Sequence, residues 1–283
     1  MARDLGNKVH RLLQALLEHM DRKEAERLVE GLRLAVKYRD PALIYHAASQ
    51  LSHDYYGGRL SYRLPQGYEA YHKRYGGAET RLPPPLETSG VDSFWAIRNR
   101  RSRREYTGEP VRKVELATIL FYSVGVTGRA WWGGPKRSYP SAGALQPVEA
   151  YVVANNIEGI AQGIYYYNAF NHSLVEIRRG DFSEDLYRAA LDQEHVLEAS
   201  FNLVLTAVYP RTASKYGHRS YRYVHWDVGF AGENVYIAVE ALGLATTAVG
   251  AFYDEDICRL LGIDCVIEIP MLIFPVGRRA TVD

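Results

Sequence analysis

The stretch YVHWDVGFAGENVYIAVEALGL, residues 223–244, constrains the fold most. Its apolar side chains recur nearly all round a helical wheel instead of along one stripe. A helix of that kind is the buried centre of a domain or part of an interface. The rest of the chain must supply the wrapping. With 283 residues, 47% of them hydrophobic and 24% charged, it is long enough for one large domain, or for one domain plus an extension.

The wrapping elements are legible as runs of apolar and β-branched residues. VEAYVVA (148–154), GIYYYN (163–168), LVEIR (174–178), FNLVLTAVY (201–209) and PMLIFPVG (270–277) read as strands. RKVELATILFYSVGV (112–126), DFSEDLYRAALDQ (181–193) and DEDICRLLGI (254–263) read as helices, the last with Asp254 as N-cap. DSFWAIRNR reads as a short helix capped by Asp92 or Ser93. The irregular alternation favours α+β over a strict βαβ repeat. Residues 1–56 read as three helices, with a capping box at Asp21 and Glu24 and Pro41 in the first turn of the third. Glycine pairs at 57–58 and 76–77 and the stiff segment RLPPPLETSG (81–90) then break regular structure. The expected division is an N-terminal helical extension and linker over 1–90 and a second domain over 91–283.

Several function classes fall away. The net charge of +1 excludes a general polyanion binder, and no second basic patch supports nucleic-acid binding. The longest apolar windows are too short to span a bilayer, and the opening helix mixes acids and bases, so the expectation is a soluble cytoplasmic protein without membrane contact. His46/His53 and His218/His225 have no metal-ligand spacing, so no metal is expected. No Gly-x-Gly-x-x-Gly follows a strand, which argues against a Rossmann site. Cys258 and Cys265 read as two reduced thiols in preference to the alternative, a single disulfide between them. The 22 tyrosines, crowded at 38–75 and 165–167, have no explanation at this level.

Four stretches carry candidate chemistry. RNRRSRRE (98–105) places five arginines around Ser102: either a solvated basic helix end or a phosphate site, for which the planar guanidinium fork is suited. Gly277, Arg278 and Arg279 are either a solvated tail or a second phosphate clamp. PSAGALQP (140–147) is either an ordinary tight loop or a bulk-free surface that lets backbone N–H groups approach a flat or anionic ligand. In SKYGHRSYRYVHWD (214–227), Lys215 adjoins Tyr216: two surface residues, or a proton-exchanging pair in which an ammonium stabilises phenolate.

Taken in their order and spacing, RRSRREY (100–106), YPSAGALQPVEAYVV (139–153), the run 214–254 and PVGRR (275–279) resemble the nitroreductase superfamily of FMN-dependent oxidoreductases. The branch they look most like is the SagB-type dehydrogenases, which include azoline oxidases. The resemblance spans about residues 91–279. It implies a nitroreductase-like α+β fold, a central mixed β-sheet flanked by helices, and a homodimer with FMN at the subunit interface. It implies that Arg100, Arg101, Ser102 and Arg104, with Arg278 or Arg279, hold the flavin phosphate and ribityl chain. Pro140, Ser141, Ala142, Gly143, Leu145 and Gln146 match the loop against the flavin, typically from the other subunit. Val249, Gly250 and Ala251 match the turn near the flavin N5 edge. Lys215 and Tyr216 match the pair that azoline oxidases use for proton removal. Hydride transfer with a small-molecule or modified-peptide substrate is the implied reaction. An NAD(P)H-dependent nitro or quinone reductase, or a flavin-binding protein without turnover, are the alternatives.

Overall fold

The structure, a computed structural model, describes residues 2–51, 62 and 64–280. The glycine pair at 57–58 and the end of the third predicted helix lie outside the described residues. Two compact units emerge: Met1–Ser61 with Ala213–Arg222, and Tyr62–Thr212 with Tyr223–Asp283. Residues 62–90, read in the sequence as part of the extension, therefore group with the larger unit.

The helices are α1 (Ala2–Glu18), α2 (Arg22–Tyr38), α3 (Ala42–Ala48), α4 (Ser93–Asn99), α5 (Lys113–Val124), α6 (Ser183–Ala189), α7 (Glu194–Leu197), α8 (Tyr209–Tyr216), α9 (Ser220–Ala241) and α10 (Asp254–Leu261). The strands are β1 (Glu79–Arg81), β2 (Val126–Arg129), β3 (Pro135–Arg137), β4 (Val148–Ala154), β5 (Gly163–Asn168), β6 (Ser173–Arg179), β7 (Phe201–Val208), β8 (Leu244–Thr246) and β9 (Glu268–Arg278). In the smaller unit the capping box forms as expected: Asp21 Oδ1 accepts from Glu24 N at 2.9 Å, and Asp21 N donates to Glu24 Oε2 at 3.3 Å. Arg222 Nε donates to Ser49 Oγ there at 2.9 Å.

The larger unit is built on a seven-stranded sheet in the order β1-β6-β5-β4-β7-β9-β8. Every pairing between its strands is antiparallel, which corrects the expected mixed sheet. The reason is local: β4, β5 and β6 follow one another through short connections, which only antiparallel neighbours permit. The α+β class and helix-flanked architecture stand.

Strand periodicity explains how α9 becomes central. All seven residues of β4 are buried, so both faces of the sheet are covered. Val148, Ala150, Val152 and Ala154 face one core with Leu203 and Leu205, closed by α5 and by Val228, Ala231 and Val235 of α9. Tyr151 and Val153 face a second core, closed by Leu186 of α6 and by Ile257 and Leu261 of α10. The long helix begins three residues before the predicted 223. Asp254 is in the first turn of α10 but is not its N-cap; Tyr253 is, with no side-chain cap. Cys258 and Cys265 are disulfide-bonded, which corrects the reduced reading. Gly262, at φ 69°, ends α10 in a left-handed turn that returns the chain beside it and brings the two Cα atoms to 5.7 Å.

Part of the tyrosine excess is explained by a buried charge network. Lys73 is buried, and its Nζ donates to Glu268 Oε2 at 2.6 Å and to Tyr151 OH at 2.7 Å. Tyr68 and Tyr151 each donate to Glu268 at 2.7 Å, and Thr206 at 2.6 Å. Tyr166 donates to Glu149, which pairs with Arg211 at 2.6 Å. Phenols have an apolar body and one polar tip, so they fill a core while satisfying its charges. Burial pushes the Tyr151 hydroxyl well above its ordinary range, with Glu268 adding to the effect, so it serves as a donor.

Candidate active site

Three sequence-distant stretches meet near the C-terminal end of α9. Past α4 the chain runs across the sheet end: Arg103 N donates to Thr246 O at 2.8 Å, Tyr106 pairs antiparallel with Arg279, and Thr107 N donates to Arg278 O at 3.0 Å. The arginine-rich segment and the tail of β9 are thus neighbours. Gly277 makes this approach feasible, because a Cβ there would lie 2.6 Å from the Tyr106 ring.

The arginines divide by partner. Glu240, nearly buried on α9, takes Arg103 and also Arg279, the latter at 2.9 Å. Arg278 is held bidentately by Glu115 at 3.1 and 2.9 Å and donates to Pro110 O at 3.1 Å. Burial pushes the Glu115 carboxyl up, but hydrogen bonds from Arg112 and Arg278 outweigh it and hold it below the usual carboxylate range. Arg100 lies over the Tyr236 ring at 5.0 Å, and Arg101 folds back on the carbonyls of Arg98 and Arg100. Arg104 differs: it is exposed and makes no hydrogen bond or ion pair among the described residues. With Ser102, Arg103, Glu105 and Ala280 it lines a cleft of about 380 Å³.

Tyr236 links this cleft to the Gly250 turn. Its hydroxyl lies 2.9 Å from Ser102 Oγ and accepts from Ala248 N at 2.7 Å. Val249 is fixed to Ile273 by two backbone hydrogen bonds of 2.8 and 2.9 Å, while Gly250 and Ala251 stay exposed. Gln193 Nε2 donates to Ala251 O at 3.1 Å. His195 lies in the field of Arg104; burial, then that guanidinium, hold its pKa below the ordinary histidine value. Tyr236, Glu240 and His195 escaped the sequence reading. The first two sit on an apolar helix, where nothing local distinguishes them from core residues.

The small-residue loop is placed elsewhere on α9. Asp227, 2% exposed, accepts from Ser141 Oγ at 2.6 Å and from Ala142 N at 3.1 Å. Ser141 Oγ in turn accepts from Gln146 N at 2.9 Å. Three residues of this loop have left-handed backbones: Gly143 (φ 62°), Ala144 (φ 56°) and Gln146 (φ 51°). For Ala144 and Gln146 such backbones are strained, and strain held by a buried anchor is a mark of functional loops. Burial pushes the Asp227 carboxyl above its ordinary value, against the Ser141 and Ala142 hydrogen bonds. Pro140 is exposed and Leu145 half-buried. Asp227 and Tyr236 stand some nine positions apart, or about 14 Å at about 1.5 Å per residue. Within one chain the loop and the arginine cleft therefore occupy different stretches of the helix.

Lys215 and Tyr216 belong to the smaller unit, at the end of α8. Lys215 Nζ lies 5.2 Å from the Tyr216 ring centroid, and Lys215 is exposed. Among the described residues no cluster of histidine, cysteine, aspartate or glutamate has the makings of a metal site. The cleft at Arg104 does suit a mononucleotide phosphate: an uncommitted guanidinium and a hydroxyl line open space, and the charges around them are already neutralised by Glu240 and Glu115.

Comparisons with known proteins identify the family. The model of the "Nitroreductase family" matches residues 97–278. Over 201 residues the chain is 42% identical to "Putative nitroreductase MJ1384" of Methanocaldococcus jannaschii, covering 71% of this chain and 96% of that one. Over 152 residues it is 30% identical to "Trifolitoxin-processing protein TfxB" of Rhizobium leguminosarum bv. trifolii, covering 51% of this chain but only 40% of that one. A crystal structure described as a putative nitroreductase from Anabaena variabilis superposes with a TM-score of 0.66 at 24% identity, over 85% of this chain and 48% of that chain. That last likeness is one of fold.

Proposed function

Because the chain belongs to the nitroreductase family and is an oxidoreductase, we propose that it is an FMN-dependent dehydrogenase of the SagB type. The observation that supports this most is the meeting of the 100–106 segment with the Arg278–Arg279 strand end around one open cleft. In this reading Arg104 and Ser102 bind the flavin phosphate. Arg100 and Arg101 flank it. Arg278 and Arg279 work indirectly, since Glu115 and Glu240 already hold them. Val249, Gly250 and Ala251 present backbone along the ring edge. Bound there, the flavin supplies hydride chemistry, and the protein supplies position and electrostatics. Tyr216, assisted by Lys215, takes the proton that leaves the substrate beside the hydride.

The proposal includes a homodimer in which the Pro140–Gln146 loop serves the partner's flavin. Trp226 and Phe230, four residues apart on α9, are each 49% exposed, and Phe94 and Ile97 of α4 are 79% and 52% exposed. Exposed apolar side chains of this size on each of two helices are of the kind that a second copy covers. No helix among the described residues is long and apolar enough to cross a membrane; a cytoplasmic location is part of the proposal.

A modified peptide is the favoured substrate, in keeping with the peptide-processing name of the Rhizobium relative. The Methanocaldococcus relative's name favours a second reading, an NAD(P)H-dependent reductase of nitro compounds or quinones. Anaerobic spectroscopy of the purified protein separates the two. A dehydrogenase bleaches with an azoline-bearing peptide, a reductase bleaches with NAD(P)H, and a flavin holder without turnover bleaches only with dithionite. Lys215→Ala and Tyr216→Phe are expected to keep the yellow colour while turnover falls about 100-fold or more. Loss of colour in those variants removes their catalytic assignment. A colourless wild-type protein that cannot be loaded with FMN removes the whole reading.

A further inference from the structure

The small-residue loop is held at both ends, and only one of the two holds comes from α9. At its start, Asp227 accepts from Ser141 and Ala142. At its end, Arg211 of α8 donates from Nη1 to Gln146 O at 3.1 Å. Between the two, Gly143 is exposed and Ala142, Ala144 and Leu145 are half-buried. The middle of the loop is thus open while its ends are fixed. Gln146 is one of the strained residues, at φ 51°. A backbone of that kind persists only where its surroundings hold it.

Arg211 has a second set of partners. Its Nε donates to Glu69 O at 3.0 Å and its Nη2 to His72 O at 2.9 Å. Those carbonyls belong to one tight turn, in which Glu69 N donates to His72 O at 2.9 Å and Tyr68 pairs antiparallel with Lys73. Arg74 N closes the turn on Gly67 O at 2.8 Å, and Lys73 N donates to Tyr166 OH at 2.9 Å. Buried Glu149 is the counter-ion: its Oε1 lies 2.6 Å from Arg211 Nη2, and its Oε2 accepts from Tyr166 OH at 2.8 Å. One planar fork therefore serves three carbonyls and a carboxylate, an arrangement that a compact ammonium does not reproduce. The turn precedes residue 97, so it lies outside the family match.

We propose that Arg211 is a positioning residue for the flavin loop, and that the Glu69–His72 turn completes the support of that loop. The proposal rests on the reading of Pro140–Gln146 as the loop against the flavin. Arg211 is buried and acts through the Gln146 carbonyl. The two carbonyls of the turn orient the guanidinium so that Nη1 is left for Gln146. Without them the fork follows Glu149 alone, and the Gln146 carbonyl loses its donor. The loop then leaves its left-handed backbone in part of the population, and the apparent flavin affinity falls by that fraction.

The test is titration of the full-length apoprotein with FMN, read by quenching of flavin fluorescence, with visible circular dichroism of the loaded protein beside it. Arg211→Lys keeps a cation opposite Glu149 but cannot serve three carbonyls. It is expected to weaken FMN binding about tenfold and to change the flavin dichroism bands. Gly67→Val disturbs the turn without touching Arg211: Gly67 has φ 88°, which a β-branched residue resists, and a Cβ there would lie 3.1 Å from Arg74 O. It is expected to weaken FMN binding about threefold. Leu174→Ala is the control, a cavity on β6 that lowers the melting temperature and is expected to leave FMN affinity within about twofold of wild type. Arg211→Lys with wild-type affinity and dichroism overturns the positioning role, and Gly67→Val with both unchanged removes the turn from it. Leu174→Ala weakening FMN as much as Arg211→Lys also overturns the proposal, because Arg211 then serves general stability alone. If Arg211→Lys does not fold, Gly67→Val set against Leu174→Ala decides. A wild-type protein that does not bind FMN removes the flavin reading itself, and this proposal with it.

Discussion

The two stretches of α9 that carry functional contacts solve opposite electrostatic problems. Near Tyr236 and Glu240, cations outnumber anions, and buried carboxylates hold Arg103, Arg278 and Arg279 so that Arg104 remains open. Near Asp227, a lone buried carboxylate holds two neutral donors and, through them, a strained loop. The first arrangement is a charge lock, whose cost of failure is an unpaired ion. The second is a clamp, whose cost of failure is a relaxed backbone. One helix thus sets both a binding charge and a loop conformation, and substitutions at the two places must fail differently.

The largest effect is expected from Glu240→Gln. Removing the anion shared by Arg103 and Arg279 leaves two half-buried cations facing each other, at a cost of about 3 kcal/mol in a denaturant melt. A change below about 0.5 kcal/mol means that solvent already neutralises them, and the charge lock is not one.

Arg104→Ala comes next and separates binding from folding. Flavin affinity is expected to fall about 30-fold, the loss of about 2 kcal/mol in a charge-assisted contact. The apoprotein's stability is expected to move by less than about 0.5 kcal/mol, as at any exposed site. An equal loss of apoprotein stability makes Arg104 another structural arginine and erases the contrast with Arg278.

Asp227→Ala is expected to cost about 1.5 kcal/mol, from two donors left without their acceptor. Its pH dependence sharpens the comparison. The native state raises the Asp227 pKa, so it binds that proton more readily than the unfolded chain does. The contribution of this group to stability therefore declines as pH rises through the raised value, and Asp227→Asn removes that decline. Unfolding curves across the acid range that superpose for wild type and Asp227→Asn remove the burial argument.

Tyr236→Phe is the mildest, about 1 kcal/mol for one hydroxyl. It leaves Ser102 Oγ and Ala248 N without their shared partner, so amide exchange at Ala248 should quicken while the core keeps its protection. Unchanged exchange at Ala248 breaks the proposed link between the cleft and the Gly250 turn.

Much of this was legible from composition at short range. Arginines crowded around Ser102 and again at Arg278 and Arg279 announce themselves, and the apolar runs of β4 to β7 have no other reading than strands. What escaped depends on registration between distant segments. Glu240 and Tyr236 look like interruptions in an apolar helix until β9 and the 100–106 segment are laid beside them. Arg278 reads as a ligand-facing cation in the sequence, and only the position of Glu115, on a helix more than a hundred residues earlier, shows it occupied. The antiparallel sheet and the short strands β1, β2 and β3 escaped for the same reason: none has a local hydrophobic period to announce it. The Cys258–Cys265 bond is one of two readings of the sequence, and only the left-handed turn at Gly262 decides between them.

The web around Glu268 has a practical consequence for anyone shortening this protein. Trimming to residue 91 keeps the whole family match, which begins at 97. It would delete Lys73, the ionic partner of a carboxylate that is fully buried, and Tyr68 with it. It would also strip Glu79–Arg81 from β6, leaving a bare strand margin free to recruit other molecules. A fragment cut there is expected to precipitate, whereas one that begins ahead of Tyr68 keeps its margin covered.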